Sequence, residues 1–460
     1  MTTHLASEPW HEECRFWLHG GSEVSYGRLD YHPRRGPGAH LLDTPLGGRN
    51  RLESPERLAA LHGESLGGVP FSLLDAWVTG GHRYHGNRRG NTVDVLGTTL
   101  VRRAHVASTD EVSVTEARLE VQGLLEAVTG GVVDSPPLFA ISATADAHDA
   151  LSVALPLASL TLHVGAGESI ARHTSSVTLG AAAHIKLEAG PVPLAEFDQR
   201  YAGPLRDLVM FATAEPSWIE SLRVADLSRI APEDSWAQHA AEIEVVRRPP
   251  VEAVPKTSAS YYALMLNLGA VPDPSATIVE WFSLRDQLGP VWPLFFATLE
   301  RTDLPLENRL MNLAGFAEGY HRALHDEPPL ETGICEAETK DMLAQIPDAE
   351  HRRVYREALL HANSQTLRER AAWLARRAVG ALDQWPLDAE AFGQQISQTR
   401  NWFAHLGTRA AHVQAGEDLV RLVHRVELVL RANLMLDIGL DERTVANNIA
   451  SGMRLVSSWP

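Results

Sequence analysis

LENRLMNLAGFAEGYHR, Leu306 to Arg322, decides the class of the C-terminal part of the chain. Leu306, Leu310, Leu313, Phe316, Ala317 and Tyr320 recur at steps that place them on one face of a helix. Asp303, just upstream, is a candidate N-cap.

Downstream the helical period continues. Glu336 to Gln345, His351 to Leu360 and Thr366 to Leu382 read as helices, and Leu387 to Gly393 opens another that runs toward Phe403. Gly416 to Leu436 carries Leu419, Leu422, Val423, Val426, Val429 and Leu430 on one face, and Asp441 to Leu455 closes the series. No solenoid-type repeat is visible.

Upstream the period shortens to two. Phe16 to Leu18, Glu23 to Leu29, His40 to Leu42, Val69 to Val78, Asn91 to Ala107 (broken at Gly97) and Glu111 to Gly123 read as strands. Leu138 to Ala143, Ser152 to Val164, Ser175 to Leu179, Ala182 to Leu187, Ile219 to Val224, Ala241 to Val246 and Tyr261 to Leu268 continue the pattern. Leu194 to Phe211 interrupts it as one helix. The expectation is an α+β multidomain chain: a β-rich, sandwich- or barrel-like region over 1–285 and an all-α helical bundle over 290–460.

Composition narrows the function. Hydrophobic content of 44% and charged content of 22% suit a folded chain. No apolar run reaches the roughly 18 residues of a membrane span. Met1 to Trp10 contains Glu8 and has no apolar centre, so no signal peptide is expected. The two cysteines, Cys14 and Cys335, exclude a disulfide framework and fit a cytoplasmic setting. The net charge of -17 argues against a general nucleic-acid coat protein. From His351 to Pro460, however, 14 Arg face 11 acidic residues, a local balance of +3, which leaves about -20 on the rest. The acidic β domain could therefore silence the small basic island of the helical region by covering its cleft. Of the 41 basic residues only Lys186, Lys256 and Lys340 are lysine, so arginine as such carries little information.

QTRNWFAHLG, Gln398 to Gly407, gathers Arg400, Asn401 and His405. A guanidinium offers forked donors to a phosphate, and an imidazole can move a proton near neutral pH. Together they suffice to turn a ribose 2′-OH on the adjacent phosphate without a metal, a chemistry DNA does not offer. With Arg400 at or just before a helix start, His405 would lie about one and a half turns along. The spacing alone decides nothing. Arg35/His40 shares it in the loop RGPGAH, and Arg356/His361 shares it inside REALLH without a polar neighbour suited to phosphate.

Other clusters read as bland. His82 with His85, and His11 with Cys14, have ligand-like spacings but no second pair, so no metal is expected. Asp146, His148 and Asp149 suggest a loop. Trp17, Trp77, Trp218 and Trp281 read as core. No phosphate-binding glycine motif is present, so no cofactor is expected. No carboxylate pair stands at a separation that would suggest a glycosidase.

The C-terminal region resembles the HEPN superfamily, through TRNWFAHLG, SQTLRERAAWL (Ser364 to Leu374) and LENRLMNLAGFAEGYHR with its Glu307, Glu318 and Arg322. It is most similar to the ApeA-like HEPN domain of bacterial anti-phage proteins. The N-terminal half resembles the β-rich domain preceding it in YGRLDYHP, GVPFSLLDAW and the strands leading into PLAEFDQRY. The resemblance implies an abortive-infection ribonuclease acting as a homodimer on RNA, tRNA in particular, after a phage-derived trigger. It implies His405 as the proton-transfer residue, Arg400 as the phosphate-binding residue, Asn401 as the positioning residue, and Glu307 or Glu318 as an outer acid. A HEPN domain that has lost catalysis and binds a partner through its helices is the alternative.

Overall fold

The computed structural model describes residues 9–42, 57–83, 91–129, 148–171, 174–226, 242–249, 264–301, 303–325, 336–359, 365–385, 387–405 and 410–453. The chain divides into two compact units. One is Met1–Phe282 with Leu299–Arg301 and Ala450–Trp459; the other is Ser283–Thr298 with Thr302–Ile449 and Pro460.

The first unit is β-rich. Its strands begin with β1 (Trp10–Leu18), β2 (Ser25–His32), β3 (Gly36–Leu42), β4 (Arg57–Ser65), β5 (Pro70–Arg83) and β6 (Asn91–Leu96). Each pairs antiparallel with its neighbours in the order β5, β4, β1, β2, β3, β6, and β6 pairs back onto β5, so this part closes like a barrel. Closure removes exposed strand edges. Strand β2 alternates buried and more exposed positions from Ser25 to His32, as a period of two requires. Phe16, Leu29, Tyr31, Leu41, Phe71, Leu73, Val93 and Val95 fill the interior.

The remaining strands are β7 (Thr99–Arg102), β8 (Ser113–Val114), β9 (Glu116–Val121), β10 (His148–Leu155), β11 (Ala158–Ala171), β12 (Thr174–Leu187), β13 (Val192–Pro193), β14 (Ile219–Ala225) and β15 (Glu242–Arg247). From β5 the sheet runs on through β7, β15, β14, β9, β12 and β11 to β10, while β8 and β13 form a small ladder of their own. Strand β5 serves both arms because it changes partner along its length: Phe71–Leu74 bond β7 and Trp77–Arg83 bond β6. Between the two, Asp75 sits at a left-handed φ of 46°, and the register shifts between Val78 and Gly80. Such irregularities bend a strand and re-aim its ladder.

Helix α1 (Leu124–Thr129) follows β9. Helix α2 (Leu194–Phe197) passes through a wider turn, Asp198–Ala202, into α3 (Gly203–Thr213), whose Leu205, Leu208, Val209, Met210 and Phe211 are buried. The single helix expected over Leu194 to Phe211 is thus found with a widened middle.

Four expectations for this unit need correction. Ser175 to Leu179 and Ala182 to Leu187 belong to one strand, β12, because Gly180 pairs with Gly165 within a continuous ladder. The described part of Tyr261 to Leu268 is not a strand. Met265 and Leu266 are buried, but their N–H groups donate to the Ala212 carbonyl at the end of α3, at 2.8 and 3.2 Å, and a short 3-10 turn, Leu268–Ala270, follows. A helix begins well before Pro290: α4 (Pro274–Leu288) starts where Asp273 caps the Ala276 N–H at 2.9 Å with proline in the first turn. Its β-branched run Thr277–Val279 hides it from a propensity reading. Trp218 and Trp281 are buried as expected, whereas Trp17 and Trp77 are only half-buried. The strand expected over Leu138 to Ala143 lies outside the described residues.

Helices continue with α5 (Trp292–Glu300), α6 (Leu306–Leu324), α7 (Glu336–Ala344), α8 (Ala349–Leu359), α9 (Leu367–Arg377), α10 (Ala389–His405), α11 (Glu417–Asp437) and α12 (Glu442–Met453). Helix α6 matches its expected span and buries Leu310, Leu313, Phe316, Ala317 and Tyr320. Its N-cap is Pro305 rather than Asp303. Helix α9 opens with a capping box: Thr366 Oγ1 accepts from the Glu369 N–H at 3.3 Å, and Glu369 accepts from the Thr366 N–H at 2.7 Å. It stops at Arg377, short of the expected Leu382, and a 3-10 turn takes over at Gly380–Leu382. Helices α6, α9, α10 and α11 pack against one another as a bundle. Gly393 lets α10 lie close on α9, since a Cβ there would strike the Arg368 carbonyl oxygen.

Candidate functional site

Helix α10 carries the Arg–Asn–His set at its C-terminal end. Phe392, Ile396 and Thr399 are buried and Phe403 is half-buried, at steps of four, three and four. That stripe fixes the rotation of the helix and turns Asn401, Ala404 and His405 outward, all three exposed. Arg400 is half-buried, and its Nη1 donates to Asn401 Oδ1 at 3.2 Å. Arg400 therefore does not open a helix but lies inside the one expected from Leu387 toward Phe403. It lies in the last turns, and His405 is the final helical residue.

Asn401 and His405, four apart, share one face. Arg400 and His405, five apart, are rotated by roughly 140° and separated by about 7.5 Å along the axis. The structure brings Arg400 to Asn401 and gives His405 an open position. The chain beyond α10 is tied back to the helix: His412 N–H donates to Gln398 Oε1 at 3.1 Å and Gln414 N–H to Thr399 Oγ1 at 3.0 Å. The end of α10 is thus braced beside its polar residues. Such an arrangement can bring a fixed cation and an accessible imidazole to a phosphodiester.

The two α6 acids fall differently. Glu307 is exposed in the first turn of α6. Glu318 is half-buried and accepts from Arg322 at 2.9 Å, one turn on. Of the competing Arg/His pairs, Arg35 lies in the turn between β2 and β3 and His40 on β3, where His40 meets Asp94 at 2.7 Å. Arg356 is exposed on α8, and His361 lies outside the described residues. A further pair with the same spacing, Arg57 and His62, stands on strand β4, with Arg57 bonded to Asp75 at 3.0 Å and His62 buried.

Among the described residues no group of three or more His, Cys, Asp or Glu is set to hold a metal. His11 is exposed and Cys14 buried, on opposite faces of β1, and burial pushes the Cys14 thiol up to about 12. His85, Asp146 and the side chains of His82, His148 and Asp149 lie outside the described part of the chain.

The helical unit holds a second Arg/His constellation that sequence reasoning missed. Arg377, at the end of α9, donates to Asp437 at 2.5 Å, to Asn433 at 3.2 Å and to the Tyr320 hydroxyl at 3.3 Å. Tyr320 also donates to Asp437, and His325 Nε2 lies 3.2 Å from the same carboxylate. Trp373 stacks on His325 at 4.8 Å. Burial alone would push Asp437 up, but the hydrogen bonds from His325, Arg377 and Tyr320 and the charge of Arg377 outweigh it and hold the carboxyl below its ordinary value. Burial, then Asp437, drives the Tyr320 hydroxyl well above its own. Beside this cluster, Arg370 is buried and lies 3.0 Å from His321 Nδ1. The donors here are spent on one another and tie α6, α9 and α11 together. The available signal was Asp437 ending the apolar run of α11, where only a paired charge belongs.

Residues 311–444 match the model of the family described as Apea-like HEPN, a span under a third of the chain that holds Arg400, Asn401, His405 and Glu318. No curated protein and no solved structure matches the chain. No helix among the described residues is long and apolar enough to cross a membrane.

Proposed function

We propose that the C-terminal helical region, an Apea-like HEPN domain by its family match, is an endoribonuclease that cuts with Arg400, Asn401 and His405 and needs no metal. The observation that carries this reading is the exposure of His405 and Asn401 on one outward face at the end of α10, beside Arg400. His405 takes the proton from a ribose 2′-OH. The new O2′–P bond forms as the P–O5′ bond breaks, and the departing 5′ oxygen collects a proton. Arg400 balances the charge that builds on the phosphoryl oxygens. Asn401 accepts from Arg400 and keeps the guanidinium in place. The products are a 2′,3′-cyclic phosphate and a 5′-hydroxyl.

A base and an acid are needed together, and each chain offers one imidazole in this motif. Two copies pairing through the helical region would supply both, so a homodimer is part of the proposal. Glu307 and Glu318, on a helix that packs against α10, are assigned as carboxylates behind the cleft. The substrate class is RNA, with tRNA as the favoured member, in an anti-phage response within the cytoplasm. The β-rich region, acidic at a formal charge of -11 over residues 1–285 against +3 for residues 351–460, is assigned the sensing or silencing part.

Expression of wild type beside His405→Ala, with total RNA incubated in EDTA, tests this. Wild type cuts and arrests growth and the variant does neither. Equal growth arrest by both, without cleavage, favours instead a partner-binding helical module.

A further inference from the structure

Helix α10 ends on an arc of unlike side chains. The stripe Phe392, Ile396, Thr399 and Phe403 points into the bundle. At about 100° per residue, that direction leaves Arg400 on one flank of the helix and Trp402 on the other. Ala404, Asn401 and His405, all exposed, fill the outward arc between the two. His405 is the member of that arc next to Trp402. It lies three residues on, turned by roughly 60° and about 4.5 Å further along the axis.

An indole is large and apolar, and its ordinary place in a helical bundle is the core. Here Phe403, its neighbour in sequence, continues the packing stripe, and Trp402 stays half-buried at the rim. The two rings lie 4.8 Å apart and inclined by 52°, so Phe403 braces one side of the indole. One turn earlier on the same face, Gln398 Oε1 accepts from the His412 N–H at 3.1 Å. The helix that sets the direction of the imidazole thus also sets that of the indole.

A phosphodiester held between Arg400 and His405 brings its nucleotides with it. A half-open aromatic ring within one turn of the imidazole offers the neighbouring base a stacking partner, and every base has a face to give. In a duplex both faces of each base are already covered, and the deep, narrow major groove of A-form RNA admits no side chain. The attack of a 2′-OH adds a second demand. The oxygen reaches the in-line position only when the backbone leaves its helical course, and a base stacked on the protein holds it there.

We propose that Trp402 is the stacking residue for the nucleobase beside the phosphate bound at Arg400 and His405, so that the site takes an unpaired stretch of RNA and refuses a duplex. This deepens the ribonuclease reading and rests on it for the position of the phosphate. Trp402 is then a positioning residue: it moves no proton and carries no charge.

The test uses the full chain carrying His405→Ala, in EDTA, so that nothing is cut. The probe is a short fluorescein-labelled RNA of mixed sequence, followed by anisotropy in three forms: the single strand, the same strand annealed to its complement, and an abasic strand of the same length. The parent should bind the single strand more tightly than the duplex. Adding Trp402→Ala should weaken the single strand by about ten-fold or more and leave the abasic strand unchanged, and Trp402→Tyr, which keeps a ring, should recover most of the loss. Equal single-strand binding with and without Trp402→Ala overturns the proposal. So does an equal loss on the abasic strand, the mark of a disturbed helix end, or no binding of any strand. A wild-type chain that never cuts RNA while this base-dependent binding persists removes the ribonuclease reading and leaves the stacking residue standing.

Discussion

Two sets of Arg and His in the helical unit have opposite fates. At the ends of α6, α9 and α11, Arg377 is bonded to Asp437, Asn433 and Tyr320, with His325 against the same carboxylate and under Trp373. At the end of α10, Arg400 bonds its neighbour Asn401, and His405 points into solvent. Residue type is the same in both places; what differs is whether the donors are already consumed. A saturated cluster holds helices, and an open one can meet a substrate.

The sharpest way to break this contrast is to exchange the losses. His405→Ala should lower RNA cleavage about 10²–10⁴-fold, the usual worth of a positioned acid or base, with an unchanged melting temperature. Asp437→Ala should do the reverse in kind, destabilising the helical unit by about 3 kcal/mol because it strands Arg377 in a largely buried place. If Asp437→Ala melts like wild type, the cluster is not a clamp.

Acid sharpens the same point. Asp437 is held below its ordinary value, so its contribution is present above the unfolded carboxylate range, near pH 4, and is lost as pH falls through the lower folded value. The stability gap between wild type and Asp437→Asn should therefore narrow as pH drops below about 4. The β-rich unit offers the opposite sign. Burial, then Glu120 and Glu126, raise Glu220 to about 7. Its stabilising share is present at low pH and lost as pH rises through that value. Glu220→Gln should raise the melting temperature at pH 8 and leave it unchanged at pH 4; a drop at pH 8 would mean that the ionised group has a partner worth keeping. The smallest effect is expected at the start of α9, where Thr366→Ala removes one half of the capping box and costs about 1 kcal/mol in a denaturant melt.

Legibility followed the length of each pattern. Helix α6 was readable because its apolar period runs through several turns, and β2 because it alternates cleanly. The partner change of β5 was not, since it depends on Asp75 at positive φ and a shifted register, neither of which the residue types demand. Met265 and Leu266 looked like a strand because apolar residues cover a helix end as readily as they line a sheet. Arg400, Asn401 and His405 were legible as residue types. Their place at the far end of α10 was readable only from the stripe Phe392, Ile396, Thr399 and Phe403, which carries the helix into the motif. The clamp around Asp437 joins three distant segments, and no local spacing announces such a meeting.

The most direct measurement is cleavage in EDTA of an RNA containing the site the enzyme cuts, beside the same strand with a single 2′-deoxyribose on the 5′ side of that bond. The account predicts a 2′,3′-cyclic phosphate end on the first strand, no cut at the altered position, and neither product from His405→Ala. Scission at the deoxy position, or equal cutting by the variant, would contradict it.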